Sequence, residues 1–129
     1  MSFSTLALRA EIVTALTKLG YHEPTEVQSQ VIPMALEGKN IIVQSHTGSG
    51  KTAAFVIPAL NRIDPRLRKP QVLILEPTRE LAMQTREEVM NISRDMRMGS
   101  LAVFGGFPIR RQIEQLREGP QGIVATPGR

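Results

Sequence analysis

The sequence predicts an α/β fold, a parallel sheet flanked by helices, and three observations carry that expectation. From residue 40 onward, short apolar runs alternate with stretches whose apolar residues recur at helical spacing. The first of these runs leads into a helix through a glycine-rich turn, Ser45-His46-Thr47-Gly48-Ser49-Gly50-Lys51-Thr52. The chain has 129 residues, 41% hydrophobic and 22% charged, the balance of one globular domain with a single core. A strand that returns through a helix lies parallel to its predecessor, and the crossover is right-handed.

Taken in order, Leu8, Ile12, Val13 and Leu16 recur at helical spacing after the possible caps Ser4 and Thr5. They predict a helix over 5–18 that ends at Gly20. A second helix starts at Thr25 and buries Val27, Val31, Ile32 and Leu36, with Gly38 closing it and Pro33 expected to kink it. Ile41 to Val43, Val72 to Leu75, Leu101 to Phe104 and Ile123 to Ala125 read as strands, with helices over roughly 52–62, 79–97 and 109–118 between them. Asp64 to Pro70 is a basic loop bracketed by prolines. After the last strand, Thr126 and Pro127 suit the N-cap and first position of a helix. That announced helix leads to the expectation of a partial chain.

Composition excludes several classes. No apolar run approaches the length of about 20 residues that spans a bilayer, and the first residues do not read as a signal peptide, so a cytoplasmic protein without a membrane partner is expected. With no cysteine there is no disulfide or thiolate metal site, and His22 and His46 alone do not make a zinc centre. The formal charge is +4, and of 16 basic residues 12 are arginine. Arginine suits bidentate phosphate contacts, but an ordinary solvated surface explains the same excess.

The segment from Ser45 to Thr52 carries the clearest chemistry. Small residues let the backbone curl so that successive N–H groups face phosphates, and the start of the following helix adds partial positive charge. Lys51 then reaches the β and γ phosphates, and the Thr52 hydroxyl is the candidate Mg2+ ligand. Ser45 stands where the generic P-loop pattern has glycine, although Gly50-Lys51-Thr52 is intact. The bland alternative is a glycine-rich turn with an incidental lysine.

Further motifs carry a family resemblance. Gly20-Tyr21-His22-Glu23-Pro24-Thr25-Glu26-Val27-Gln28, with Phe3 17 residues before Gly20, resembles the Q motif of DEAD-box ATP-dependent RNA helicases. Pro77-Thr78-Arg79-Glu80-Leu81-Ala82 followed by Gln84 looks like motif Ia, Gly105-Gly106 like the GG motif, and Thr126-Pro127-Gly128-Arg129 like motif Ib. They occur in the family's order along essentially the whole chain. Ser45 and His46 depart from the family's usual alanine and frequent glutamine.

The resemblance implies a partial RecA-like P-loop NTPase domain: residues 1–129 as the N-terminal portion of the helicase ATP-binding domain, with the Q motif at about 1–29. The D-E-A-D motif and the second RecA-like domain would lie beyond residue 129. It implies ATP or ADP held by Phe3, Tyr21, Thr25, Gln28 and the loop Ser45, His46, Thr47, Gly48, Ser49, Gly50, Lys51 and Thr52, with Mg2+ reached through the nucleotide. Lys51 and Thr52 would be the catalytic contributors. RNA backbone would lie on Pro77, Thr78, Arg79, Gly105, Gly106, Thr126, Gly128 and Arg129.

Each assignment has a plainer rival. An amide at Gln28 can pair with adenine in two places, but Thr25-x-x-Gln28 is also a capping box. Phe3 could stack on the base or lie buried under the first helix. Arg79 falls in the first turn of a helix, where the macrodipole disfavours a cation, so an RNA phosphate, Glu76 or Glu80 is expected to compensate it. The glycine pair also reads as a simple turn. Two other function classes stay open: a P-loop kinase or other NTPase in which Glu76 serves the metal, and a nucleotide- or RNA-binding module without turnover.

Overall fold

The computed structural model describes residues 1–129 and divides into two compact units, Met1–Arg62 and Ile63–Arg129. The first unit is helical: a short 3-10 turn at Phe3–Thr5, then α1 at Ala10–Lys18, α2 at Glu26–Leu36 and α3 at Lys51–Asn61. Ile12, Leu16, Val31, Ile32, Val56, Ile57 and Leu60 are buried, and α2 packs along α3.

The first helix begins at Ala10, not at residue 5. The Thr5 hydroxyl donates to the Ser2 carbonyl at 2.7 Å and the Ser4 hydroxyl meets Ser2 Oγ at 2.7 Å, so both expected caps serve the 3-10 turn. Arg9 is extended (φ −58°, ψ 146°), and its N–H donates to Asn61 Oδ1 at 2.8 Å. A side chain from the end of α3 thus sets where α1 starts, a contact that local sequence does not encode. α2 starts where expected. Pro33 lies inside it without ending it; proline removes one N–H, yet the helix continues to Leu36.

Residues Ile41 to Val43 do not form a strand; no ladder pairs with them and Ile42 is 100% exposed. The β-branched run signals propensity, whereas a strand also needs a neighbour to take its N–H and carbonyl groups.

The second unit holds a three-stranded parallel sheet, β1 at Val72–Leu75, β2 at Ser100–Val103 and β3 at Gly122–Ala125, in the order β1-β3-β2. Both pairings are parallel, and Leu75 and Val103 each sit opposite Ala125. Central β3 is buried at every position, while Leu73 and Leu75 on edge β1 are 65% and 60% exposed. The helices are α4 at Arg79–Ile92, packed on β2 and β3, and α5 at Ile109–Arg117, packed on β2. Leu101, Ile123 and Ala125 form a core cluster against which Val103 and Leu116 pack.

α4 stops at Ile92 instead of 97. The helix ends at its C-cap Ser93 (φ −92°, ψ 7°), and the Met96 N–H donates to the Ser93 carbonyl at 2.9 Å in a turn, so the buried Met96 continues the apolar pattern from outside the helix; Arg97 (φ 52°, left-handed) follows on the way to β2.

Candidate nucleotide and nucleic-acid site

In the first unit the segment 45–52 forms a turn that opens α3. Gly48 (φ 86°) and Gly50 (φ 90°) are left-handed, a conformation natural to glycine. Gly50 is the N-cap and, having no side chain, leaves the first-turn N–H groups of α3 uncapped. The Lys51 ammonium donates to the Ser45 carbonyl, closing the loop on itself. The Ser49 hydroxyl is buried without a hydrogen-bond partner. Open N–H groups, a cation and an orphaned hydroxyl together form a donor set suited to phosphate oxygens.

Gln28 reaches this loop from α2. Its Oε1 accepts from the Thr25 N–H at 3.0 Å, and Thr25 Oγ1 accepts from the Gln28 N–H at 3.3 Å, completing the capping box. Its Nε2 donates to the Gly50 carbonyl at 3.2 Å. The cap and a contact to the glycine-rich loop therefore coexist in one amide, which is 5% exposed. Phe3 is 3% exposed, so in this conformation its ring faces are covered, whereas Tyr21 is exposed. His46, Thr47 and Thr52 are exposed and Ser45 is half-buried.

In the second unit parallel topology gathers the remaining motifs. All three strands end at the same edge of the sheet, so Pro77-Thr78-Arg79 after β1, Gly105-Gly106 after β2 and Thr126 to Arg129 after β3 lie together. Thr78 caps α4, its hydroxyl accepting from the Leu81 N–H at 3.2 Å. The Arg79 guanidinium lies 5.8 Å from the centroid of the Phe104 ring, and its Nη1 is 2.7 Å from where a Cβ on Gly106 (φ 91°) would fall. Arg79 is exposed and has no carboxylate partner, so neither Glu76 nor Glu80 neutralises it. The Thr126 N–H donates to the Val103 carbonyl at 3.0 Å, and Arg129 Nη1 donates to the Phe107 carbonyl at 3.1 Å.

Glu76 is engaged elsewhere. Its Oε1 accepts from the buried Thr85 hydroxyl at 2.8 Å, and its N–H donates to the Ala125 carbonyl at 2.9 Å. A carboxylate fixed by the helix behind it is a poor candidate for a metal ligand, and no group of three or more acidic or histidine side chains is assembled anywhere.

Residues 25–129 match the family model described as DEAD/DEAH box helicase. The chain belongs to that family. It is 49% identical over 129 residues to an ATP-dependent RNA helicase DeaD of Klebsiella pneumoniae, with 99% of this chain aligned to 20% of that protein. Among solved structures, a DEAD box protein from the hyperthermophile Methanococcus jannaschii superposes with a TM-score of 0.94 at 37% identity, covering 100% of this chain and 35% of that one. S. cerevisiae Dbp5 bound to RNA and ADP BeF3 gives 0.89 at 35% identity, covering 98% and 32%. The DEAD-box chain thus spans about a fifth of the length of that DeaD relative, and its sheet is the RecA-like fold of its structural neighbours.

Around the DEAD-box motifs, sequence reasoning missed Phe104, Thr85 and Gln112. Phe104 supports Arg79 and meets Phe107 edge to face at 5.2 Å. Gln112 is buried; its Nε2 donates to the Phe104 carbonyl at 3.0 Å and its Oε1 accepts from Arg129 at 3.4 Å, linking two motif loops. A signal existed: Gln112 lies on the same helical face as Ile109 and Leu116, and a polar residue on an apolar face requires a partner.

Proposed function

We propose that this chain grips an adenine nucleotide through the Gln28 cap and the loop 45–52, and holds an RNA backbone along the edge formed by Pro77, Thr78, Arg79, Gly105, Gly106, Thr126, Gly128 and Arg129. It would do so as the first part of an ATP-dependent RNA helicase. The single observation that carries the reading is Arg79: an exposed cation in the first turn of a helix, stacked on Phe104 beside Gly106 and lacking any carboxylate. Such a cation is matched by a phosphate oxygen from outside the protein.

At the nucleotide, Lys51 exchanges the Ser45 carbonyl for phosphate oxygens, the first-turn N–H groups of α3 hold the β-phosphate, and Gln28 meets the adenine edge. Phe3 would have to turn from its buried position to stack on the base, and Gln28, equally buried, would have to exchange the Gly50 carbonyl and the Thr25 N–H for the adenine edge. Mg2+ would be held by Thr52 and phosphate oxygens, since the chain offers no acidic cluster for it. When bound, the Mg2+–nucleotide supplies the phosphoryl group; this chain's residues orient it and offset its charge. A second RecA-like domain of the parent protein would complete the cleft, with RNA contacted through its backbone irrespective of sequence. By itself the 129-residue chain is expected to hydrolyse ATP hardly at all. A cytoplasmic location is proposed along with the helicase reading; no helix is long and apolar enough to cross a membrane.

The test is a fluorescence titration with labelled ADP, competed by unlabelled ADP and GDP, with Lys51→Ala as control. ADP should compete at least about tenfold better than GDP, the value of one or two discriminating hydrogen bonds. Equal competition would remove the adenine reading and leave a generic P-loop.

A further inference from the structure

The strand edge opposite the motif loops carries a second feature. Where β2 and β3 begin, a cleft of about 450 Å³ is lined by Arg66, Arg68, Arg86 and Arg97, with Glu118 as its one carboxylate. That volume lies within the range of small-ligand pockets.

The cationic wall is built rather than incidental. Gln121, 4% exposed, accepts the Gly99 N–H at 2.9 Å through Oε1 and donates through Nε2 to the Pro65 carbonyl at 3.0 Å, joining two of the segments that bear arginines. Gly119 (φ 77°) lets the Arg68 carbonyl approach closer than any Cβ would allow. Arg86 donates Nε and Nη2 to the Ser100 carbonyl at 3.3 and 3.1 Å, and Arg68 donates to the Glu118 carbonyl at 2.9 Å. Those acceptors fix the guanidinium groups without neutralising them. Arg66 alone has a carboxylate, Asp64 at 3.1 Å, whose hydrogen bond and charge raise its pKa.

Arg97 has neither hydrogen bond nor ion pair, and it is the one non-glycine residue at positive φ. Glycine would fit that turn without strain. A free cation kept in a strained position, beside three others that repel it, is a pattern that an anion resolves.

We propose that this cleft binds a compact polyphosphate anion, whose closely spaced oxygens match the paired N–H groups of several guanidinium ions. A single-stranded nucleic acid is the less suited occupant, because no aromatic side chain lines the cleft for a base to stack on. The site is separate from the edge that carries Arg79 and Arg129, so occupancy would leave those loops free.

The experiment is an NMR titration of the 15N-labelled chain carrying Lys51→Ala, which silences the P-loop, with inorganic tripolyphosphate at fixed ionic strength. Amides of Gly99, Ser100, Gly119 and Gln121 should shift saturably, and Arg97→Gly combined with Arg66→Ala should weaken that binding at least about tenfold. Arg97→Gly relieves the left-handed strain and Arg66 is exposed, so the variant should stay folded, as its melting curve would verify. Unaltered affinity in the double variant overturns the proposal, as do shifts confined to residues 48–52 or 105–106. So does an oligouridylate that shifts the four amides when tripolyphosphate does not.

Discussion

The Gln28 side-chain amide donates to the Gly50 carbonyl at 3.2 Å, and a Cβ built on Gly50 would lie 2.5 Å from that same amide nitrogen. The helix cap and the glycine-rich loop are fitted to each other, and the fit depends on Gly50 having no side chain.

Gly50→Ala should therefore destabilise the chain by about 2 kcal/mol, combining left-handed strain with displacement of Gln28. Urea unfolding measures this. A cost under about 0.5 kcal/mol would mean that the loop relaxes freely and that the Gln28 contact is loose.

Gln28→Glu separates capping from base recognition. Glutamate can still close the capping box, but it sets a buried carboxylate oxygen against the Gly50 carbonyl, so the folded state should lose about 1–3 kcal/mol. It cannot donate to the Gly50 carbonyl or to adenine, and the preference for ADP over GDP should fall to near unity. A retained preference in the competition titration would move adenine recognition to another residue.

Arg79→Ala removes a cation that rests on Phe104 and pairs with no acid. The folded state should lose about 0.5–1 kcal/mol, the scale of an exposed cation–π contact. Single-stranded RNA should bind more weakly by a similar factor whatever its sequence, with a shallower salt dependence, since a phosphate contact carries no base information. Filter binding at two salt concentrations distinguishes this from a base-specific role.

Thr85→Val leaves the Glu76 carboxylate without its 2.8 Å donor and should cost about 1–3 kcal/mol in thermal unfolding. In the alternative in which Glu76 serves a metal, the same change would leave stability nearly intact while altering Mg2+-dependent nucleotide binding.

Much of the molecule was legible before its structure. Strand Val72–Leu75 falls on the residues anticipated, the other two sheet strands lie within a residue, and Thr25 caps the helix that follows it. These signals are local: apolar spacing, a hydroxyl before a helix, and glycine where φ must be positive. Ile41 to Val43 and the start of α1 were misread because each depends on a partner distant in sequence, present as Asn61 for Arg9 and lacking for Ile42.

The sequence by itself determined the α/β class, the turn at 45–52 and the order of the motifs, because periodicity and backbone chemistry act over a few residues. Tertiary structure alone decided that β3 lies between β1 and β2, which brings Arg79, Gly106 and Arg129 to one edge, and that Gln121 gathers arginines at the other. Strand order follows from which faces can be buried together, and that is a property of the assembled sheet rather than of any segment in it.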